Sequence, residues 1–203
     1  MDTVLLACDH YNLDYCFELA VEFGLGLEIQ TFAYPTMLDE GLDERVNEYK
    51  ARLQGFNRSL IMHGAFLDMA SASLDPKVVA VAWERYTKNI EIAAQIGASL
   101  VVFHANYLTN IRTEAFRRAW TQRQIDFWNP MAELAASFNV RIAIEKMREF
   151  EPRILADVLR EVNSPCLVSC LDTSHAHLYG EVPFQEWLNG FRRFYSVHSF
   201  EQH

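Results

Sequence analysis

The chain is short of basic residues, poor in cysteine and without a long apolar run, and each shortage narrows what it can be. Its 18 Lys and Arg stand against 27 Asp and Glu, a formal net charge of −9. An acidic surface repels phosphate, which disfavours nucleic acid and anionic membrane as partners. No apolar stretch approaches the ~20 residues that cross a bilayer. Met1-Asp2-Thr3 lacks the basic start and apolar core of a secretory leader, so a cytoplasmic protein is the expectation. The four cysteines, Cys8, Cys16, Cys166 and Cys170, form no CxxC pair. They are expected to be buried strand thiols in a reducing compartment, without chemistry of their own. Neither GxGxxG nor GxxxxGK[ST] occurs, which removes the usual grounds for a nucleotide-binding open sheet.

What is present is core. Half of the 203 residues are hydrophobic, enough for one domain spanning 1–203. Short β-rich runs recur at Val4–Cys8, Leu27–Phe32, Leu60–Phe66, Leu100–His104, Arg141–Met147, Cys166–Asp172 and Phe194–His198. Helical spacing fills the gaps: Leu42, Val46, Tyr49 and Leu53 mark one helix, and Val79, Trp83, Tyr86, Ile90 and Ala93 another. Trp83 and Tyr86 are read as packing residues of that helix. Asp75-Pro76 reads as an N-cap with proline at the first helical position, and Glu151-Pro152 opens the next helix similarly. Gly24, Gly97 and Asn139 fall where helices should end in the left-handed conformation. Pro130 predicts a kink or a break in the segment 113–138. Strands separated by helices imply a parallel sheet, either doubly wound or a (β/α)₈ TIM barrel.

The polar residues decide between these. Ile61 shares a strand face with His63, Val102 with His104, Ala143 with Glu145, Val168 and Cys170 with Asp172, and Ser196 with His198. If the larger apolar face meets the helices, each polar residue is the last inward position of its strand. A barrel gathers such positions at its C-terminal face, where these folds carry their active sites, whereas an open sheet gathers only a few. A lone strand-end histidine is more often a hydrogen-bonded or capping residue than a ligand. Glu145 is harder to explain that way, because a buried carboxylate must be paired or metal-bound. Coordination by mixed carboxylate and imidazole accounts for the whole set. Glu28 and Gln30 share a face of the second strand and are open to a substrate or to an ordinary rim network. His10, His177 and His203 lack this support.

At these residues the chain resembles the xylose isomerase-like barrels, which include sugar and sugar-phosphate isomerases and epimerases, hydroxypyruvate isomerases and the endonuclease IV group. The matching pieces, in order, are Met62-His63-Gly64-Ala65, Val102-Phe103-His104-Ala105, Ala143-Ile144-Glu145, the run from Cys170 through Leu171-Asp172-Thr173-Ser174-His175 to Ala176, and Ser196-Val197-His198. The resemblance implies that Glu145, Asp172 and His198 are metal ligands, for Mn²⁺, Mg²⁺, Co²⁺ or Zn²⁺. It implies that His175 binds substrate or a second metal. It also implies that His63 and His104 line the substrate pocket, or bind additional metal in a nuclease-like version. The partner it implies is a small sugar or sugar phosphate, with Glu145 as the catalytic base that forms an enediolate; a homo-oligomer is compatible. Sugar-epimerase relatives use a second glutamate after an eighth strand, and no such strand or glutamate is found here. The seven strands are therefore read as a barrel whose last βα unit is missing or truncated, with Glu201-x-His203 a remnant of the family's next polar stretch. Two other readings stand beside the isomerase: an endonuclease IV-like phosphodiesterase on DNA, and a non-catalytic barrel.

Overall fold

A computed structural model describes residues 4–199, with side chains described as far as 194. Strand and helix alternate throughout: β1 (Leu5–Cys8), α1 (Leu13–Phe23), β2 (Gly26–Ile29), α2 (Pro35–Asp39), α3 (Leu42–Arg52), β3 (Leu60–His63), α4 (Pro76–Ile96), β4 (Leu100–His104), α5 (Glu114–Ser137), β5 (Arg141–Glu145), α6 (Arg153–Val162), β6 (Leu167–Asp172), α7 (Thr173–Tyr179), α8 (Phe184–Phe191) and β7 (Tyr195–Ser199). All seven strands are parallel, and their order in the sheet is their order in the chain. A doubly wound sheet reverses order at its switch point, and this one never does. The sequential order is that of a βα barrel. Among the described residues β1 and β7 are the edges of the sheet.

Two hydrophobic clusters lie on opposite faces of this sheet. The outer one fills the space between strands and helices and includes Ile29, Met62, Phe103, Ile144, Leu171, Tyr86, Trp128 and Trp187. The inner one is small: Ile61, Leu100, Val102, Ala143, Val168 and Cys170. Ile61, Val102, Ala143, Val168 and Cys170 are residues whose parity assigned them to the interior, so the alternation read from the sequence holds for β3 to β6. In β7, after a bulge, the register sets His198 opposite Leu171 of the outer cluster and Ser199 opposite Asp172. Three strands stop earlier than expected. β2, β3 and β5 stop at Ile29, His63 and Glu145, because the following residues leave the ladder to form the loops above the barrel; Thr31–Ala33, for instance, makes a 3₁₀ turn.

The helix termini follow local chemistry. Asp75 caps α4 by accepting the Lys77 N–H at 2.9 Å, with Pro76 at the first position. Gly24, Gly97 and Asn139 adopt positive φ of 71°, 82° and 57° at helix ends. Glu151-Pro152 differs slightly, since Pro152 itself occupies the cap position. Pro130 does not break its segment: α5 runs uninterrupted through it. Pro130 lies on the exposed side, while Phe127, Trp128, Met131 and Ala135 are buried. Their packing offsets the roughly 3 kcal/mol that an internal proline costs. Trp83 packs edge-on against Phe127. Tyr86 stacks on Phe103 at 4.0 Å and on Trp128 at 5.6 Å between ring centroids. Both are packing residues. Trp128→Ala is expected to cost roughly 3–5 kcal/mol and to lower the melting temperature by about 10 °C in a chain of this size. Thermal unfolding followed by circular dichroism checks this, and a shift under about 2 °C would contradict the assigned core.

Among the described residues no helix is long and apolar enough to cross a membrane. The cysteines are unbonded thiols; Cys8, Cys16 and Cys170 are buried. Burial and the neighbouring Cys16 push the Cys8 thiol up to about 12, which leaves it inert as a nucleophile.

Candidate metal centre

Backbone register sets the site. His63 pairs with Val102, His104 with Glu145, and Glu145 with Cys170. The last residues of β3, β4 and β5 therefore lie side by side at one end of the sheet. Gly64 makes room for this: an added Cβ there would lie 2.1 Å from the Phe103 ring. The tight Gly64 turn also holds His63, whose Nδ1 is 2.9 Å from the Gly64 carbonyl oxygen. A carbonyl only accepts, so Nδ1 carries the proton and Nε2 is turned to the interior. A backbone carbonyl that fixes one ring nitrogen in this way orients the other for a metal ion.

His63 Nε2 and His104 Nε2 lie 3.5 and 3.3 Å from Glu145 Oε2, and 3.2 Å from each other. On the other side, His175 Nδ1 is 3.9 Å from Glu145 Oε1 and 3.7 Å from Asp172 Oδ1. Glu145 thus divides its two oxygens between two groups of side chains. In each group, His63–His104–Glu145 and Glu145–Asp172–His175, the donor atoms all lie within 4.8 Å of one another. The three distances in the first set, 3.2–3.5 Å, let a single ion reach every donor at ordinary bond lengths of roughly 2.0–2.2 Å.

Burial explains the electrostatics. Glu145, Asp172 and His175 are at most 2% exposed, and both other histidines 6%. Burial alone favours the neutral carboxyl of Glu145, but hydrogen bonds from His104 and His63 prevail and hold it well below the usual carboxylate range. Burial likewise opposes protonation of His63, yet the Glu145 carboxylate pushes it up to about 9. Without an ion, the site is a proton-bridged carboxylate–imidazole cluster. An ion of charge +2 held by these residues would take the place of those protons.

Asp172 has a second task. As N-cap of α7, its Oδ1 accepts the His175 N–H at 2.5 Å, fixing His175 one turn above the strand. Lys146 braces the same turn from the end of β5. Its Nζ donates to the carbonyls of His175 and, at 3.1 Å, Met147, and it sits 4.9 Å from the centre of the Trp187 ring. Burial pushes the ammonium down to about 8. A cavity of about 550 Å³ opens over the site, its wall including His63, His104, Tyr34, Phe66, Asn106 and Glu149.

The structure thus brings together His63, His104, Glu145, Asp172 and His175. The backbone of His198 belongs to β7; its side chain, together with Glu201 and His203, lies outside the described residues. Gln30 lines the cavity, and Glu28 faces inward beside Ile61. His10 is half-buried against Tyr11 and His177 is exposed. Lys146, Glu149 and Asn106 were not anticipated. All three lie just beyond strand ends, where no periodicity marks a side chain's direction; a charged residue directly after an inward carboxylate was the one available signal.

The model of the xylose isomerase-like TIM barrel family matches residues 17–199. Among curated proteins, an uncharacterized protein of Methanocaldococcus jannaschii is 22% identical over 127 residues, 60% of this chain. That match spans 43% of the relative's own length. Among solved structures, the TTHB071 protein of Thermus thermophilus, from a crystal soaked with ZnCl₂, superposes with a TM-score of 0.79 at 25% identity, over 94% of this chain and 74% of that one. D-psicose 3-epimerase of Clostridium cellulolyticum H10 gives 0.76 at 16% identity, over 98% and 73%. The 3-keto-D-glucoside 4-epimerase of E. coli gives 0.76 at 13% identity, over 99% and 80%. The two epimerase likenesses are likenesses of fold. With a sequentially ordered parallel sheet and a family match over nearly its whole length, the chain belongs to the xylose isomerase-like TIM barrel family.

Proposed function

We propose that the protein is a divalent-metal-dependent isomerase or epimerase of a small sugar or sugar phosphate. The observation that carries this reading is the division of the Glu145 oxygens between two groups. Glu145 Oε1 faces Asp172 and His175, while Oε2 faces His63 and His104. Glu145 and Asp172, with His198 as the family resemblance implies, would hold the ion, and His175 would contact substrate. The ion supplies Lewis-acid polarisation of a carbonyl and its neighbouring hydroxyl. Mn²⁺, Mg²⁺, Co²⁺ and Zn²⁺ all suit two carboxylates and an imidazole.

The chain's own residues do the rest. Glu145 Oε2 takes a proton from the carbon beside the carbonyl, and His63 and His104 stabilise or relay that proton through their Nε2 atoms. The cavity, walled by Tyr34, Phe66 and Asn106, offers flat apolar surface and an amide suited to a monosaccharide. Its size fits a small molecule. Proton return to a different carbon isomerises the sugar, and return to the opposite face epimerises it.

Metal-loaded protein is expected to exchange deuterium from D₂O into at least one of D-psicose, D-tagatose and D-fructose, and to stop doing so on chelation. NMR of the recovered sugars checks this. Complete absence of exchange across these sugars and their phosphates would contradict the reading.

One observation favours a second reading. His63–His104–Glu145 is a three-donor group in its own right, so these residues would hold one ion beside a second at Glu145, Asp172 and His175, and two such ions would supply the chemistry of two-metal phosphodiester hydrolysis. The −9 charge weighs against a DNA substrate. Chelator-sensitive nicking of duplex containing abasic sites at moderate salt would promote this reading over the first.

A further inference from the structure

Two buried side-chain amides reach from the outer helices to the backbone just past a histidine of the site. Asn89 on α4 and Gln124 on α5 are both 0% exposed, on helices that also bury Tyr86 and Ile90, and Trp128 and Met131. Asn89 Oδ1 accepts the N–H of Ala65, two residues beyond His63, at 2.8 Å. Its Nδ2 donates to the Phe32 carbonyl at 2.8 Å. Gln124 Nε2 donates at 3.0 Å to the carbonyl of Ala105, the residue after His104. Its Oε1 accepts the Trp128 indole N–H and, at 3.3 Å, the Ser71 hydroxyl. A backbone N–H only donates and a carbonyl only accepts, so neither amide can turn over without losing both kinds of partner.

These bonds fall on the three loops that wall the cavity. Gln30 and Tyr34 belong to the loop region after β2, Phe66 and Asp68 to the loop after β3, and Asn106 and Tyr107 to the loop after β4. Asn89 joins the first to the second through Phe32 and Ala65, and Gln124 joins the second to the third through Ser71 and Ala105. Asn106 adds a bond to the Met69 carbonyl. Asp68 and Asn106 hold left-handed φ of 58° and 54°, conformations that persist in non-glycine residues where the surroundings fix them. Packing alone would be met by leucine or methionine at positions 89 and 124, without the cost of burying an amide. What the amides add is a fixed place for the strand ends.

We infer that Asn89 and Gln124 are positioning residues, which set the imidazoles of His63 and His104 against Glu145. The two Nε2 atoms stand 3.2 Å apart and 3.5 and 3.3 Å from Glu145 Oε2, spacings that an ångström of drift would destroy. Asn89 holds the residue after Gly64, whose carbonyl orients the His63 ring. Gln124 holds the carbonyl of the residue that follows His104. Both amides act through the histidines and through the cavity wall. The catalytic consequence rests on the ketose reading given above; the placing of the imidazoles does not.

The test compares wild type with Asn89→Leu, Gln124→Met and Leu159→Ala. The last truncates a buried residue of α6 and supplies a stability loss comparable to that of unpairing buried backbone groups. In the metal-free proteins the ring ¹⁵N resonances of His63 are expected to shift in Asn89→Leu and those of His104 in Gln124→Met, with His177 unmoved. Leu159→Ala moves none of the three. Metal-loaded Asn89→Leu and Gln124→Met lose roughly 10²-fold in deuterium exchange into D-psicose, D-tagatose or D-fructose, the effect of an ångström-scale misplacement, and Leu159→Ala exchanges at the wild-type rate. Gln124→Glu and Asn89→Asp keep the accepting oxygen and lose the donor. The first is expected to shift His104 and the second to leave His63 near its wild-type position, and they carry the test if an apolar variant does not fold. Unmoved His63 and His104 resonances in every folded variant, equal shifts in Leu159→Ala, or shifted resonances with wild-type exchange overturn the inference and leave the ketose reading standing. Absence of exchange in wild type overturns the ketose reading, and the resonances still decide whether the amides place the histidines.

Discussion

Glu145→Gln is expected to cost the protein its bound divalent ion and its proton-transfer activity together. Glutamine keeps the shape of glutamate but removes the one negative charge common to both donor groups. Each group is left with a single carboxylate or none. The loss of exchange should reach roughly 10³-fold or more, because a general base alone contributes about 10²–10⁴ and the ion is lost besides. Elemental analysis of the purified variant, paired with the D₂O assay, checks both halves. A variant that keeps its metal and exchanges at the wild-type rate would remove Glu145 from the centre of the site.

The metal-free protein is expected to lose stability as pH rises from neutral toward 9, and the metal-loaded protein much less so. The sign follows from His63. Its folded value, about 9, lies above the ordinary 6.5, so protonation favours the native state. That stabilisation is fully present below pH 6.5 and is lost as pH climbs through about 9. Its size is about 3 kcal/mol at most, and it is shared with Glu145, since the two shifts describe one buried pair. Other groups bear on the same range. Glu149, also raised, adds a loss of the same sign that begins above its ordinary 4.5. Lys146, lowered to about 8 from 10.5, works in the opposite direction above pH 8. Cys8, with an ordinary value of 9.0, adds only at the alkaline end. The clean quantity is therefore the difference in urea-unfolding free energy between wild type and His63→Gln from about pH 6.5 to about pH 8. Wild type should fall more steeply, and parallel pH profiles would contradict the proton-bridged pair.

Much of this site was legible because a strand has a period of two. Once Ile61, Val102, Ala143 and Val168 were assigned to the interior, the positions of His63, His104, Glu145 and Asp172 followed without any tertiary information. His175 was reachable only through the family resemblance. It lies beyond β6, on α7, placed by the Asp172 cap and by Lys146, and the Lys146 contact joins parts of the chain that no local pattern links. Glu149 shows the same limit: its burial comes from the Met147 and Tyr107 loops closing over it, which its neighbours in sequence do not announce. Pro130 shows the limit from the other direction. Of the kink or break that local chemistry predicted, the structure removes the break: the packing of Trp128 and Met131 against the sheet keeps α5 a single helix.

A divalent ion held by Glu145 and Asp172 is the centre of the proposed chemistry, and the most direct measurement is anomalous diffraction at the zinc edge from crystals of this protein soaked in ZnCl₂. The expected result is a peak within about 2.0–2.2 Å of a carboxylate oxygen from each of these two residues, absent in Glu145→Gln. A map with no peak at that pair, or with zinc bound only elsewhere on the chain, would contradict it.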